Sequence, residues 1–218
     1  MSDNIDRKLH FAAGLGDEDT VRQCLKAGGA TVDWRGGACD HTALHLAAIS
    51  DHDEVARLLV EAGWSLEARN YEGSTPVLMA AWNDAGETME YLLDSGAHID
   101  TQNDNKRTPL HVASQKGHTM VVEHLLMCGA NQKIEDKWGY TALDLAVIHD
   151  ETREVLIDFM KKDKGGDNPA QRKRKREEDS DDENDMRRQP WQPWQQGGGS
   201  REHEGGDHVS GAQGGMQI

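Results

Sequence analysis

The sequence predicts an all-α solenoid of five helix-turn-helix units with projecting β-hairpins, followed by a disordered C-terminal tail. Three observations carry that prediction. Thr42-Ala43-Leu44-His45-Leu46-Ala47-Ala48 is echoed by Thr75-Pro76-Val77-Leu78-Met79-Ala80-Ala81, Thr108-Pro109-Leu110-His111-Val112-Ala113-Ser114 and Thr141-Ala142-Leu143-Asp144-Leu145-Ala146-Val147, with the same interval between successive threonines each time. A period of this length marks stacked supersecondary units. Gly28, Gly63, Gly96 and Gly129 stand at one constant offset from Arg7, Thr42, Thr75 and Thr108, the first positions of their units, where a helix C-terminus favours left-handed geometry. After Met160 apolar residues nearly vanish, so the last stretch cannot bury enough surface to offset its ordering entropy.

The first unit, about residues 5–40, opens on the weaker copy Arg7-Lys8-Leu9-His10-Phe11-Ala12-Ala13, set back from the second by two positions more than the regular interval, so its hairpin is the longer by two. The second, 41–73, starts a short helix at capping Thr42 and a second helix over Glu54 to Ala62, with Val55, Leu58 and Leu59 on one face. The third, 74–106, repeats this with Leu92 and Leu93 in a helix over Met89 to Ser95. In the fourth, 107–139, Val122, Leu125 and Leu126 lie in a helix over Val121 to Cys128. The fifth, 140–162, has Asp144 for the histidine and Asp158 at an apolar position. Between units lie turn-rich stretches such as Arg69-Asn70-Tyr71-Glu72-Gly73, long enough for a projecting hairpin.

Thr-Pro-Leu-His-x-Ala-Ala, with a Gly-Ala after the second helix, resembles the ankyrin repeat over residues 1–162. The resemblance implies a curved helical stack with hairpins along one edge and a protein–protein interaction role. Arg7-Lys8, Asp144 and Asp158 depart from its pattern at the two ends, where the outer faces of capping units meet water.

The balance of 24 Lys plus Arg against 39 Asp plus Glu gives a formal net charge of -15. That charge disfavours nucleic-acid backbones and anionic membranes and favours a partner protein with a basic surface. The acidity is uneven: residues 1–160 hold 13 basic and 27 acidic residues, a net of -14, and residues 161–218 hold 11 and 12, a net of -1. No apolar run is long enough to span a bilayer and no secretion signal is visible. Three cysteines without Cys-x-x-Cys spacing indicate neither disulfides nor zinc. A monomer in a reducing compartment, nucleus and cytoplasm, is the expectation.

Eleven histidines invite a search for a catalytic or metal site. His10, His45 and His111 recur at one unit position, however, and read as scaffold hydrogen bonders; His52, His118 and His149 fall near the turn between paired helices. No nucleophile elbow, phosphate loop or His-Glu-x-x-His helix is present. The expectation is a non-catalytic chain without cofactor or metal.

Positions not needed for packing lie at hairpin tips and on the exposed side of each first helix, lining a concave groove. They supply His41, Ile49 and Ser50, then Tyr71, Glu72, Trp82 and Asn83, then Asp104, Asn105, Arg107, Gln115 and Lys116, and last Lys137, Trp138, Tyr140 and His149. Two readings of Tyr71, Trp82, Trp138 and Tyr140 stand side by side: anchors for a partner, or rings covering hairpin bases. Trp34 and Trp64 read as packing beneath hairpins.

In the tail, Lys161-Lys162, nine residues, then Arg172-Lys173-Arg174-Lys175-Arg176 has the form of a two-part nuclear import signal, an extended basic segment suited to the acidic groove of an import carrier. Ser180 before Asp181-Asp182-Glu183 is a phosphorylation candidate. Gln189-Pro190-Trp191-Gln192-Pro193-Trp194 repeats a short motif that reads equally as a ligand segment or as chance composition. The sequence thus points to a nuclear adaptor or stoichiometric regulator. A nucleic-acid-associated factor acting through the basic tail and a targeting subunit of an enzyme complex are the alternatives.

Overall fold

A threonine three residues before a histidine makes a helix start in which both polar groups are satisfied. In the computed structural model, which describes residues 2–164, the Thr42 hydroxyl accepts the His45 backbone N–H at 3.3 Å and His45 Nδ1 accepts the Thr42 N–H at 3.2 Å. Thr108 with His111 and Thr141 with Asp144 close the same reciprocal cap, removing donors that a helix start otherwise leaves to water. Thr75 has Leu78 where that partner would be. Its hydroxyl makes no cap bond and is buried without a partner among the described residues.

From these starts come ten helices among the described residues, arranged in five pairs: α1 (Ser2–Leu15) with α2 (Glu18–Ala27), α3 (Ala43–Ile49) with α4 (Asp53–Glu61), α5 (Pro76–Trp82) with α6 (Gly86–Asp94), α7 (Pro109–Lys116) with α8 (Thr119–Met127), and α9 (Ala142–Leu145) with α10 (Asp150–Lys164). The first helices stack in order as one layer, joined at buried small residues such as Ala13, Ala47, Ala48, Ala80, Ala81 and Ala113 that let backbones approach. The second helices form the other layer, in which α2 meets α4, α4 meets α6 and α8 meets α10, while α6 and α8 barely touch. Leu44, Leu59, Leu92, Leu110 and Leu125 are fully buried between the layers, each contributing roughly 1.5–3 kcal/mol of transfer free energy.

The hairpins are tight turns closed at the base by an Asn or Asp. Asn70, Asn103 and Asp136 each accept two backbone N–H groups through Oδ1 and also bond through the backbone to Ser74, Arg107 and Tyr140 respectively. One backbone bond joins each finger to the next: Tyr71 N–H to Cys39, Asp104 N–H to Glu72, Lys137 N–H to Asn105. Among the described residues no strand forms, and the isolated bridge Gly36 to His41 marks the first finger.

The two ends differ from the sequence reading. α1 begins at Ser2, five residues ahead of Arg7, because Asp6 on the added turn is buried and takes the Thr31 N–H at 2.6 Å, tying down the long first hairpin. Arg7 is therefore interior to the helix and caps nothing. At the other end α9 has only four residues, and α10 starts nine positions after Thr141, where α4, α6 and α8 start eleven after their threonines. Asp158 faces water and pairs with Lys161 at 3.2 Å. The expected disordered tail, with Arg172, Lys173, Arg174, Lys175, Arg176, Ser180 and the Gln-Pro-Trp repeat, lies outside the described residues.

Candidate partner-binding groove

The histidines set the frame of the groove. His45 Nε2 donates to the Ser74 carbonyl at 2.9 Å and His111 Nε2 to the Tyr140 carbonyl at 3.1 Å, each tying one unit to the base of the next finger. His10 does the same to His41 at 2.8 Å. Burial is the first cause that pushes the His45 imidazole down, to about 4, with His41 and Arg35 adding to it. His111 is lowered for the same first reason. His45 and His111 are neutral struts, and at the cap position of the third unit, where Leu78 replaces histidine, there is no such ring.

On this frame the last turns of the first helices and the fingers hold a row in which two cationic groups lie between two aromatic rings. Trp82 ends α5, and Lys116 in the last turn of α7 places its ammonium 4.0 Å from the Trp82 ring centroid. Gln115 beside it accepts from Arg107 Nη1 at 2.8 Å. The Arg107 Nε donates to Asp136 Oδ2 at 3.2 Å, and its guanidinium lies 5.1 Å from the Trp138 ring centroid. Such cation–ring contacts contribute about 0.5–1 kcal/mol when exposed. Burial raises the Asp136 carboxyl, but the N–H groups of Tyr140 and Trp138 together with Arg107 outweigh it, and the net shift is downward. Arg107 is thus held by its neighbours on several sides, an arrangement suited to its planar fork.

The aromatic candidates separate cleanly. Tyr71, Trp138 and Tyr140 are 76%, 56% and 53% exposed, and Trp82 is 38% exposed. Trp64, in contrast, is 4% exposed, and Trp34 is half-buried with its ring edge-on to His10. Ile49, half-buried, ends α3 at the repeat position of Trp82, and Asn83 caps α5 by donating to the Met79 carbonyl.

His149 departs from its expected place in the groove. Its Nε2 donates to the Gln115 carbonyl at 3.2 Å, and a Cβ on Gly117, where φ is +76°, would run into its ring. It occupies the place of His118, which donates to the Trp82 carbonyl at 3.1 Å, because the two-residue shortening of the fifth unit slides it back. Lys161 and Lys162 are helical rather than extended: Asp158 pairs with the first, and the Phe159 ring lies 5.2 Å from the ammonium of the second.

Two features escaped the sequence reading. Asp136, at the repeat position of Asn70 and Asn103, is the buried hinge of the row, and the recurrence of Asn70, Asn103 and Asp136 in step with the threonines is the signal for it. The other is a cleft of about 310 Å³ lined by Glu72, Ser74, Leu78, Met79, Trp82, Asn103, Asn105, Arg107 and Val112. Among the described residues no cluster of His, Cys, Asp and Glu forms a metal site, and no helix is long and apolar enough to cross a membrane.

A family model described as ankyrin repeats in three copies matches residues 9–103 and again residues 96–168. The chain belongs to the ankyrin-repeat family. As an ankyrin-repeat protein it carries a protein–protein interaction module, and repeats of this kind are typically non-catalytic. Diacylglycerol kinase iota of Mus musculus is 41% identical to it over 69 residues, 31% of this chain and 7% of that protein. The ankyrin-repeat chain thus matches only a small part of that relative's length, and the kinase activity in the name is that relative's.

Proposed function

We propose that this ankyrin-repeat protein is a non-catalytic adaptor or stoichiometric regulator that grips a partner protein in the groove between its fingers and first helices. The row Trp82, Lys116, Gln115, Arg107 and Trp138 is the observation that supports it. Its rings offer exposed area while its polar groups are already held in place, so binding costs little side-chain ordering. Tyr71 and Tyr140 extend the same surface from the finger tips. Because residues 1–160 carry a net charge of -14, the partner is one with a basic surface, steered to the groove at low salt.

Its place of action is the nucleus as well as the cytoplasm, with an import carrier engaging Arg172 to Arg176 and, where α10 unwinds, Lys161 and Lys162. A large fused reporter tests import. Replacing Lys173, Arg174, Lys175 and Arg176 with alanine moves it to the cytoplasm, and an unchanged distribution removes that part of the proposal. The groove is tested by affinity capture with the full chain and with Trp82→Ala/Trp138→Ala. Loss of specific captured proteins by a variant that still melts cooperatively supports it, and an identical captured set overturns it.

A further inference from the structure

Above Leu78, which stands where the neighbouring units carry a capping histidine, the cleft of about 310 Å³ has Met79, Trp82 and Val112 in its floor and Glu72, Asn105 and Arg107 at its rim. We infer that this cleft receives one arginine or lysine side chain of the bound partner, its aliphatic stem on Met79 and Trp82 and its cation at Glu72. The inference rests on the groove being the partner site and assigns the chemistry of its central anchor.

Size comes first. About 310 Å³ is at the small end of ligand pockets, with room for one long side chain and not for a helix. Charge decides which side chain. Arg107 is committed, through Nε to Asp136, through Nη1 to Gln115 and through its face to Trp138. Among the described residues the Glu72 carboxylate has neither a hydrogen-bond nor an ion-pair partner, and its charge is felt by His41, which burial nonetheless holds below its ordinary value. The uncompensated charge at the rim is therefore negative.

The floor agrees with the rim. Trp82 already holds one ammonium, that of Lys116, at 4.0 Å from its ring, and Lys116 is not among the residues lining the cleft. Indole is the side chain best suited to attract a cation, and the long stems of Arg and Lys cover apolar surface while their heads stay polar. An apolar anchor would desolvate Glu72 without replacing its water, and a carboxylate would meet it as a like charge.

The test uses the full-length, isotope-labelled protein and four capped amino acids as probes: N-acetyl methylamides of arginine, lysine, leucine and glutamate. The Trp82 indole and Asn105 amide signals report occupancy, the indole assigned from the spectrum of Trp82→Phe. Arginine and lysine probes are expected to shift both signals saturably, the leucine probe to bind about fivefold more weakly or worse, and the glutamate probe not to bind. Glu72→Gln should weaken the arginine probe about three- to tenfold. Glu90→Gln, the same charge change on α6 away from the cleft, should leave it unaltered. Stronger binding of leucine, equal binding to Glu72→Gln, or no shift at either signal overturns the cationic anchor. These outcomes are separate from the groove itself. Capture that survives loss of both tryptophans while arginine still binds the cleft would sink the groove reading alone, and a leucine preference with capture lost would sink the anchor alone.

Discussion

The imidazole of His45 spans from its own helix cap to the Ser74 carbonyl 29 residues later, holding Thr42 through Nδ1 and the next finger through Nε2 at 2.9 Å. His111 repeats the relation with Thr108 and Tyr140 at the same separation of 29 residues. One ring thus fixes a local start and a long-range contact together. His45→Ala leaves the Thr42 N–H without its acceptor, takes one of two donors from the Ser74 carbonyl, which keeps the Asn70 N–H, and removes buried volume. The expected cost is about 2–4 kcal/mol, read as a lowered denaturation midpoint with an unchanged denaturant slope.

Protonation attacks the same bonds. A carbonyl only accepts, so the neutral ring carries its proton on Nε2, and a second proton on Nδ1 would face the Thr42 N–H. The folded value lies below the ordinary 6.5, at about 4, so the unfolded chain binds more protons between them and stability rises with pH across that window. The stabilisation from neutral His45 is complete above about pH 6.5 and falls as the solution is acidified toward about pH 4, by about 3 kcal/mol in all. His111 and His41 are shifted the same way. Melting temperatures should drop between pH 7 and pH 5, before most carboxylates titrate. His45→Ala should flatten that slope, and an equally steep slope in the variant would refute the assignment.

Trp82→Ala/Trp138→Ala separates binding from packing. With more than a third of Trp82 and more than half of Trp138 exposed, the pair should cost about 1–2 kcal/mol of stability, less than buried tryptophans do. Partner binding should weaken by about 2–4 kcal/mol. A thermal scan and a titration on one variant give both numbers. Large thermal loss with unaltered affinity of the folded fraction would make these rings structural.

Asp136→Ala removes a buried carboxylate that receives Trp138, Tyr140 and Arg107. Two backbone donors and a guanidinium lose their acceptor, so a loss of about 3–5 kcal/mol is expected. Asp136→Asn keeps the Oδ1 contacts but loses the charge and the Oδ2 acceptor toward Arg107, whose Nε–H then faces an amide donor. It should cost clearly less, and equal losses would mean that the turn bonds carry none of the effect.

Much of this architecture is readable from the chain because the units repeat: a threonine at one position and a glycine at a constant offset beyond it place both helices of a pair. What repetition does not supply lies at its exceptions. Asp6 belongs to an added turn whose purpose, holding Thr31, exists only once the first hairpin has folded back. His149 stands two positions out of register in the shortened unit, so its numbering pointed to the groove while its backbone placed it under Gly117. Tyr71, Trp82, Trp138 and Tyr140 were identifiable as groove positions, with anchoring and hairpin-covering roles both open. That Arg107 would be bound on several sides, and Glu72 left alone, follows from distances across different units that no single unit encodes.

Leu78 has one more consequence. The junction it occupies has no imidazole at the helix cap, an orphaned Thr75 hydroxyl beneath it, and the sparse meeting of α6 with α8 on the opposite layer, with His118 to the Trp82 carbonyl bridging it instead. In a stack where cooperativity passes only between neighbours, such a junction is where sub-global opening begins. Amide hydrogen exchange in the native protein should therefore resolve two protection classes, one for α1 through α6 and a second for α7 through α10, and Leu78→His should merge them toward a single unfolding unit.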